Sequence, residues 1–303
     1  MTVTDQPSDK QSNIVESPPP AIRHGWLRAV LFFITYIVVL IAVTVVAASL
    51  LGLKSEEDFA GGDHQLAGIL NYLIALAITM LIVWLFRRFV DRRSVVSLGF
   101  QFQRQDRLDF IYGVAWGIGM VAGIFLILMA MNVVHVSSVQ FPISSLVFTL
   151  ITFVLAAAME EIVMRGYMLN NMMASMNRYV SLLIVSAVFG LAHGFNPNVS
   201  IAGLFNIVIA GLLLGVYYIY RQNLWFPIGM HIGWNYFQGV VFGSPVSGAK
   251  LTGVLSIQCS GSELLSGGDF GFEASLITTF VTAGACVLIG WWQYRRQRQP
   301  VIP

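Results

Sequence analysis

Between residues 110 and 177 the chain carries formal charge at only three positions, Glu160, Glu161 and Arg165. A stretch that apolar, interrupted once by two acids and a base, is foreign to soluble domains, where about a quarter of residues are charged. Over all 303 residues, 11% are charged and 56% hydrophobic, and mean hydropathy is +0.74. A run of about 20 apolar residues suffices to cross a bilayer. Such runs occur at 27–53, 65–86, 109–134, 144–170, 180–195, 200–220, 225–243 and 272–293. They predict an all-α fold, a polytopic transmembrane helical bundle of about eight helices.

Charge asymmetry orients such a bundle, because positive residues collect on the cytoplasmic side. Arg23 and Arg28 flank the first run, and the second connection holds Arg87, Arg88, Arg92, Arg93, Arg104 and Arg107. Arg178 and Arg221 fall in later connections on that side, and Arg295, Arg296 and Arg298 follow the last run. The opposite connections are poor in positive charge: 54–59 is net acidic, and 134–143 has neither Lys nor Arg. A multi-pass plasma-membrane protein with both termini cytoplasmic satisfies every position. The short tail and arginine-rich loop read as bacterial. A net charge of +2 gives no reason to expect nucleic acid. Cys259 and Cys286 make neither a metal-ligand spacing nor a disulfide framework.

The expected organisation is a disordered cytoplasmic tail at 1–26 and three N-terminal helices with a basic loop at 27–143. A catalytic four-helix core at 144–243 follows. An outer Gly/Ser-rich loop occupies 244–271, and a last helix with a basic tail occupies 272–303. The tail lacks the apolar core and cleavage site of a signal peptide.

Two further polar islands interrupt apolar runs: Phe189 with His193, and His231 with Asn235. Burying such groups in hydrocarbon costs several kcal/mol unless they are paired or used. At a helical rise of about 1.5 Å per residue, counted from the basic turns, Glu160 lies roughly 18 Å and His193 roughly 20 Å deep. His231 and Asn235 lie at about 9 and 15 Å. The four therefore fall in one band, in the middle to cytoplasmic half of the membrane, and are expected to converge. Glu161 and Arg165, four apart, share a helix face suited to an ion pair. Glu160 is turned about 100° away.

Glu and His around a water form a general-base arrangement. Glu160 is expected to take the proton of a water that His193 helps hold, and that water attacks a peptide carbonyl. His231 and Asn235 are expected to donate to the developing oxyanion. Glu161 and Arg165 are expected to brace Glu160, and Phe189 to wall the site. A metal version would use Glu160, His193 and His231 as ligands of zinc. No His-Glu-x-x-His motif is present, and the metal-free version is favoured, with no cofactor. No Gly-x-Ser-x-Gly elbow supports serine catalysis.

The order Glu-Glu-x-x-x-Arg, Phe-x-x-x-His, His-x-x-x-Asn resembles the signature of the CAAX protease and bacteriocin-processing family of intramembrane endopeptidases. This family includes the type II CAAX prenyl endopeptidases. The resemblance covers about residues 144–243. It implies a membrane peptidase, glutamate-type or metallo-endopeptidase, in which Glu160 and His193 activate water and His231 and Asn235 form an oxyanion hole. The implied partners are membrane lipid and a peptide or lipidated-protein substrate. A bacterial setting favours a peptide precursor, pheromone or bacteriocin-type substrate. The rival reading is a membrane transporter or bacteriocin-immunity protein that uses the polar cluster for binding.

Overall fold

The computed structural model describes residues 18–52 and 65–298. Helix α1 spans Gly25–Leu50, α2 Gln65–Leu85 and α3 Arg104–Ala130. Helix α4 runs Ile143–Glu161, and α5 runs Arg178–Ala192. Helix α6 follows at Ile201–Arg221, α7 at Trp225–Tyr236 and α8 at Leu276–Arg298. Three helices end in wider π turns: α2 through Phe86–Asp91, α4 through Ile162–Leu169 and α7 through Phe237–Val241. Among the described residues, seven helices are long and apolar enough to cross a membrane. The protein is a multi-pass membrane protein built as a helical bundle.

The expected boundaries move by a few residues, because hydropathy registers only the apolar part of a helix. Helix α3 starts at Arg104 because the Asp106 carboxylate accepts the Gln103 backbone N–H at 2.7 Å, closing the first turn. The chain from Ile143 to Met173 is one uninterrupted span. The seventh of the eight expected spans, 225–243, is shorter than a membrane crossing demands. Helix α7 has 12 residues before its π turn.

Contacts between helix ends sort the bundle into two poles. At one, the Gly25 backbone N–H donates to Ser175 Oγ at 2.5 Å, Trp225 Nε1 to the Gln101 carbonyl at 2.6 Å, and Arg178 to Gln297 at 3.4 Å. Both described ends of the chain lie at this pole, with the arginines, and it is called the basic end below. Asp91 anchors it. Fully buried, it accepts from Arg28 at 3.1 Å and from Arg87 at 2.9 Å, tying α1 to α2. Residues 1–17 of the expected tail, and the acidic connection at 54–59, lie outside the described residues. The rest of that tail is held in place: Ala21 N–H donates to the Val90 carbonyl at 2.8 Å, and Arg92 to the Pro19 carbonyl at 3.2 Å.

The far pole departs from an all-α plan. Strand β1 (Val134–Val139) pairs antiparallel with β2 (Leu255–Cys259), with Val134 opposite Cys259 and Leu255 opposite Val139. The Gly/Ser-rich connection expected as a loop over 244–271 is thus a built cover, with this ribbon and short helical turns. The alternation at β1 is mostly exposed, so hydropathy gave no sign of it.

A close helix crossing sets the position of the site. Gly113 and Gly117 of α3 face Gly229 and Gly233 of α7, two small-xxx-small stripes that bring backbones together. A Cβ at Gly113 would stand 2.1 Å from the Phe226 carbonyl oxygen, and one at Gly229 would stand 2.4 Å from that of Phe110. His231 sits between the two glycines of α7, so its height is set by this crossing. Gly229→Ala should force the helices apart and cost about 1–3 kcal/mol, read as a lower thermal midpoint in detergent together with lost activity. Gly119→Ala, where the added Cβ meets nothing within 4 Å, should leave the midpoint unchanged or raise it. Equal tolerance of both substitutions would refute the close crossing.

Candidate active site

Helix α4 delivers Glu160 and Glu161 on its last turn, where the backbone widens into the π segment. Such π insertions often occur at functional sites. Glu161 is fully buried. Its Oε1 accepts from Arg165 Nη1 at 2.9 Å and from His231 Nδ1 at 3.0 Å. The guanidinium continues to the Gly211 carbonyl of α6 at 3.1 Å and stacks over the Phe189 ring of α5, 4.4 Å from its centroid. One buried ion pair thereby joins α4, α5, α6 and α7. A charge pair removed from water needs such further partners; here they engage Glu161 Oε1, while Oε2 is buried without a hydrogen-bond partner.

Glu160 turns instead toward a cavity of about 450 Å³, lined also by His193, His231 and Asn235. Its Oε2 is buried without a hydrogen-bond partner. It lies 3.9 Å from His193 Nε2 and 4.0 Å from His231 Nε2. The far nitrogens of both rings are engaged. His193 Nδ1 is 2.8 Å from the Phe189 carbonyl, which only accepts, so the ring donates there and its proton is on Nδ1. His231 Nδ1 faces the Glu161 carboxylate that Arg165 neutralises, and donates likewise. In each ring Nε2 is therefore the nitrogen turned toward Glu160.

The expected convergence of Glu160, His193, His231 and Asn235 is present in this geometry, as is the Glu161–Arg165 pair. The cavity reaches toward the pole away from the arginines, because the cover folds down to wall it. Ser247 and Glu273 line it from the cover, and Asn206 from the start of α6. Tyr36 of α1 and Tyr72 of α2 line it as well, so the N-terminal helices contribute to the site.

Glu273 escaped the motif reading, although it is the one charge within 272–293. Its Oε2 accepts from the Ser247 hydroxyl at 3.0 Å and also from the Ser247 backbone N–H. Ser247 itself has a left-handed backbone, φ 48°, uncommon for a residue with a side chain. Burial pushes the Glu273 carboxyl up from its ordinary value, against the two Ser247 bonds that favour the charged form.

The donor set around Glu160 Oε2, one carboxylate and two imidazoles, is chemically that of a catalytic zinc. Its spacing is wider than a closed ligand set. Among the described residues, no three His, Cys, Asp or Glu are grouped to hold a metal ion.

Residues 142–237 match a family model described as type II CAAX prenyl endopeptidase Rce1-like. The match covers about a third of the chain. The family segment runs from the start of α4 to the turn after α7 and contains every residue of the three motifs. Glu273 and the tyrosines of α1 and α2 lie outside it. No curated protein and no solved structure matches the chain.

Glu273 generates a pH prediction. Its folded pKa lies above the ordinary 4.5, so the folded state holds this proton more tightly than the unfolded one. Its contribution to stability is complete below 4.5 and is lost as pH rises through the window between that value and the raised one. Glu273→Gln, which can still accept from Ser247, should flatten thermal stability against pH across that window. An unchanged slope would remove Glu273 from this role.

Proposed function

We propose that this CAAX-type membrane protease hydrolyses a peptide bond with a water activated by Glu160, without a metal. The observation that carries the reading is the orphaned Glu160 Oε2 with two imidazole Nε2 atoms at 3.9 and 4.0 Å. Those gaps exceed a hydrogen bond. In this reading a water enters among the three atoms and hydrogen-bonds to each.

Counting protons assigns the roles. Three acceptors converge, yet a water has two hydrogens to give, so the resting site holds one further proton. His231, between Glu160 and Glu161, is the group best placed to carry it, as an imidazolium. Glu160 then accepts one hydrogen of the water and His193 Nε2 the other. As the water oxygen attacks the carbonyl carbon, its proton passes to Glu160. The carbonyl oxygen gains negative charge opposite His231 Nε2–H and the Asn235 amide, where preorganised donors contribute most. Glu160 returns its proton to the leaving nitrogen as the C–N bond breaks. The products are a carboxylic acid and an amine, and transfer of the acid's proton to the amine gives a carboxylate and an ammonium.

Hydrolysis accounts for the site better than ligand binding. Discontinuous helices in two equivalent halves would favour transport, and the sequence shows no such pairing. The walls from Phe33, Ile37, Leu40 and Phe153 are apolar, which suits a peptide that arrives through the membrane. We infer a bacterial plasma-membrane setting, with the arginine pole and both termini in the cytoplasm. We further infer a precursor or bacteriocin-type peptide as substrate, with a lipidated protein as the comparison.

Purified protein should cleave members of a leader-peptide and lipopeptide library. Glu160→Gln should lower the rate at least 10³-fold with the fold intact, and His231→Ala or Asn235→Ala should lower kcat by about 10²–10³. Cleavage should persist in chelator. Full activity of the Glu160 variant would end the proposal, and chelator-sensitive activity restored by zinc would replace it with the metal version.

A further inference from the structure

We propose that a hollow at the basic end of α2, lined by arginines, binds the phosphate of an anionic phospholipid. It is separate from the peptidase cavity, with a volume of about 450 Å³, and its walls include Trp84, Arg87, Arg88, Arg92, Arg93 and Ser94. None of these residues falls within the segment that matches the protease family.

The backbone builds this hollow. Helix α2 widens into its π turn at Phe86–Asp91, and Arg92 then takes a left-handed conformation, φ 56°. The Arg93 backbone N–H closes the reversal by donating to the Arg87 carbonyl at 2.9 Å. Arg92 and Arg93 are thereby folded back beside Arg87 and Arg88. Left-handed backbone is uncommon for a long side chain, and here it gathers like charges.

The guanidinium groups are not alike. Arg87 is buried and spent on Asp91, Ser94 and Ser97, so it forms the floor. Asp91 is spent in turn on Arg28 and Arg87. Arg92 uses one nitrogen on the Pro19 carbonyl. Arg88 and Arg93 are exposed and have no hydrogen-bond or ion-pair partner among the described residues. Four arginines against one aspartate already shared leave a concentrated positive field in a concave surface. A phosphate, with several acceptor oxygens, is the anion that guanidinium forks match best.

The adjoining surface indicates which phosphate. Trp84 is 48% exposed and Phe89 61%, their rings edge to face at 6.0 Å, and Leu81 and Leu85 are also exposed. This apolar face is continuous with the arginines along the same helix. An acyl chain lies along it while the headgroup enters the hollow. Free phosphate uses only half of that arrangement. Basic pockets of this kind beside membrane helices are suited to anionic headgroups.

Full-length protein in detergent is titrated with phosphatidylglycerol, phosphatidylcholine or inorganic phosphate and read by native mass spectrometry. Phosphatidylglycerol should bind over phosphatidylcholine. Arg88→Gln with Arg93→Gln, both exposed and therefore compatible with folding, should weaken it roughly tenfold or more, as expected for two lost charges near the surface. Arg296→Gln with Arg298→Gln, at the same pole but outside the hollow, should change it little. Inorganic phosphate should fail to displace the lipid; displacement at comparable concentration would assign the hollow to a soluble phosphate instead of a lipid. Equal loss in both double variants, or none in the first, would overturn the proposal.

Discussion

The carboxylate of Glu161 is the interaction on which the rest of the structure depends. It is shut away from solvent and takes one oxygen's worth of hydrogen bonds from Arg165 and His231. Arg165 carries the connection on to the Gly211 carbonyl and the Phe189 ring. In hydrocarbon neither charge is affordable alone, so the pair must form wherever the helices pack. The same contact turns the His231 ring until its other nitrogen faces Glu160. Phe189 contributes from below, since its carbonyl holds His193 in the matching orientation. A structural ion pair and the geometry of the proposed chemistry are therefore one construction. Glu160, one residue earlier, is free of it and faces the cavity.

The motif helices do not make the site alone. The cavity is closed by elements from outside the family segment: Tyr36 and Tyr72 from the N-terminal helices, and Ser247 and Glu273 from the cover. The Gly113–Gly229 crossing brings α3 against the helix that bears His231. Variation among such peripheral walls is a route to different substrates around one constant set of reacting groups, which fits the separation between fold and function seen in many scaffolds.

Much of this was legible in the residues, for a physical reason. Lipid makes every intramembrane charge costly, so Glu160, Glu161, Arg165, His193 and His231 stood out against an apolar background and could be assigned by spacing. Helix period then paired Glu161 with Arg165. Helices were equally plain from hydropathy. The cover was not. Its strands are short, polar and mostly exposed, and their pairing joins residues about 120 positions apart in the chain, which no local pattern encodes. Glu273 was visible as a lone charge at the mouth of the last span, but no motif drew attention to it. The paired glycines of α3 became meaningful only against their partners on α7.

An experimental structure at a resolution that shows ordered solvent would test the account most directly. It should contain one solvent molecule within about 3.2 Å of Glu160 Oε2 and of both Nε2 atoms. Rings turned so that these nitrogens face apart would contradict the account, as would an ion bonded to them at about 2.1 Å.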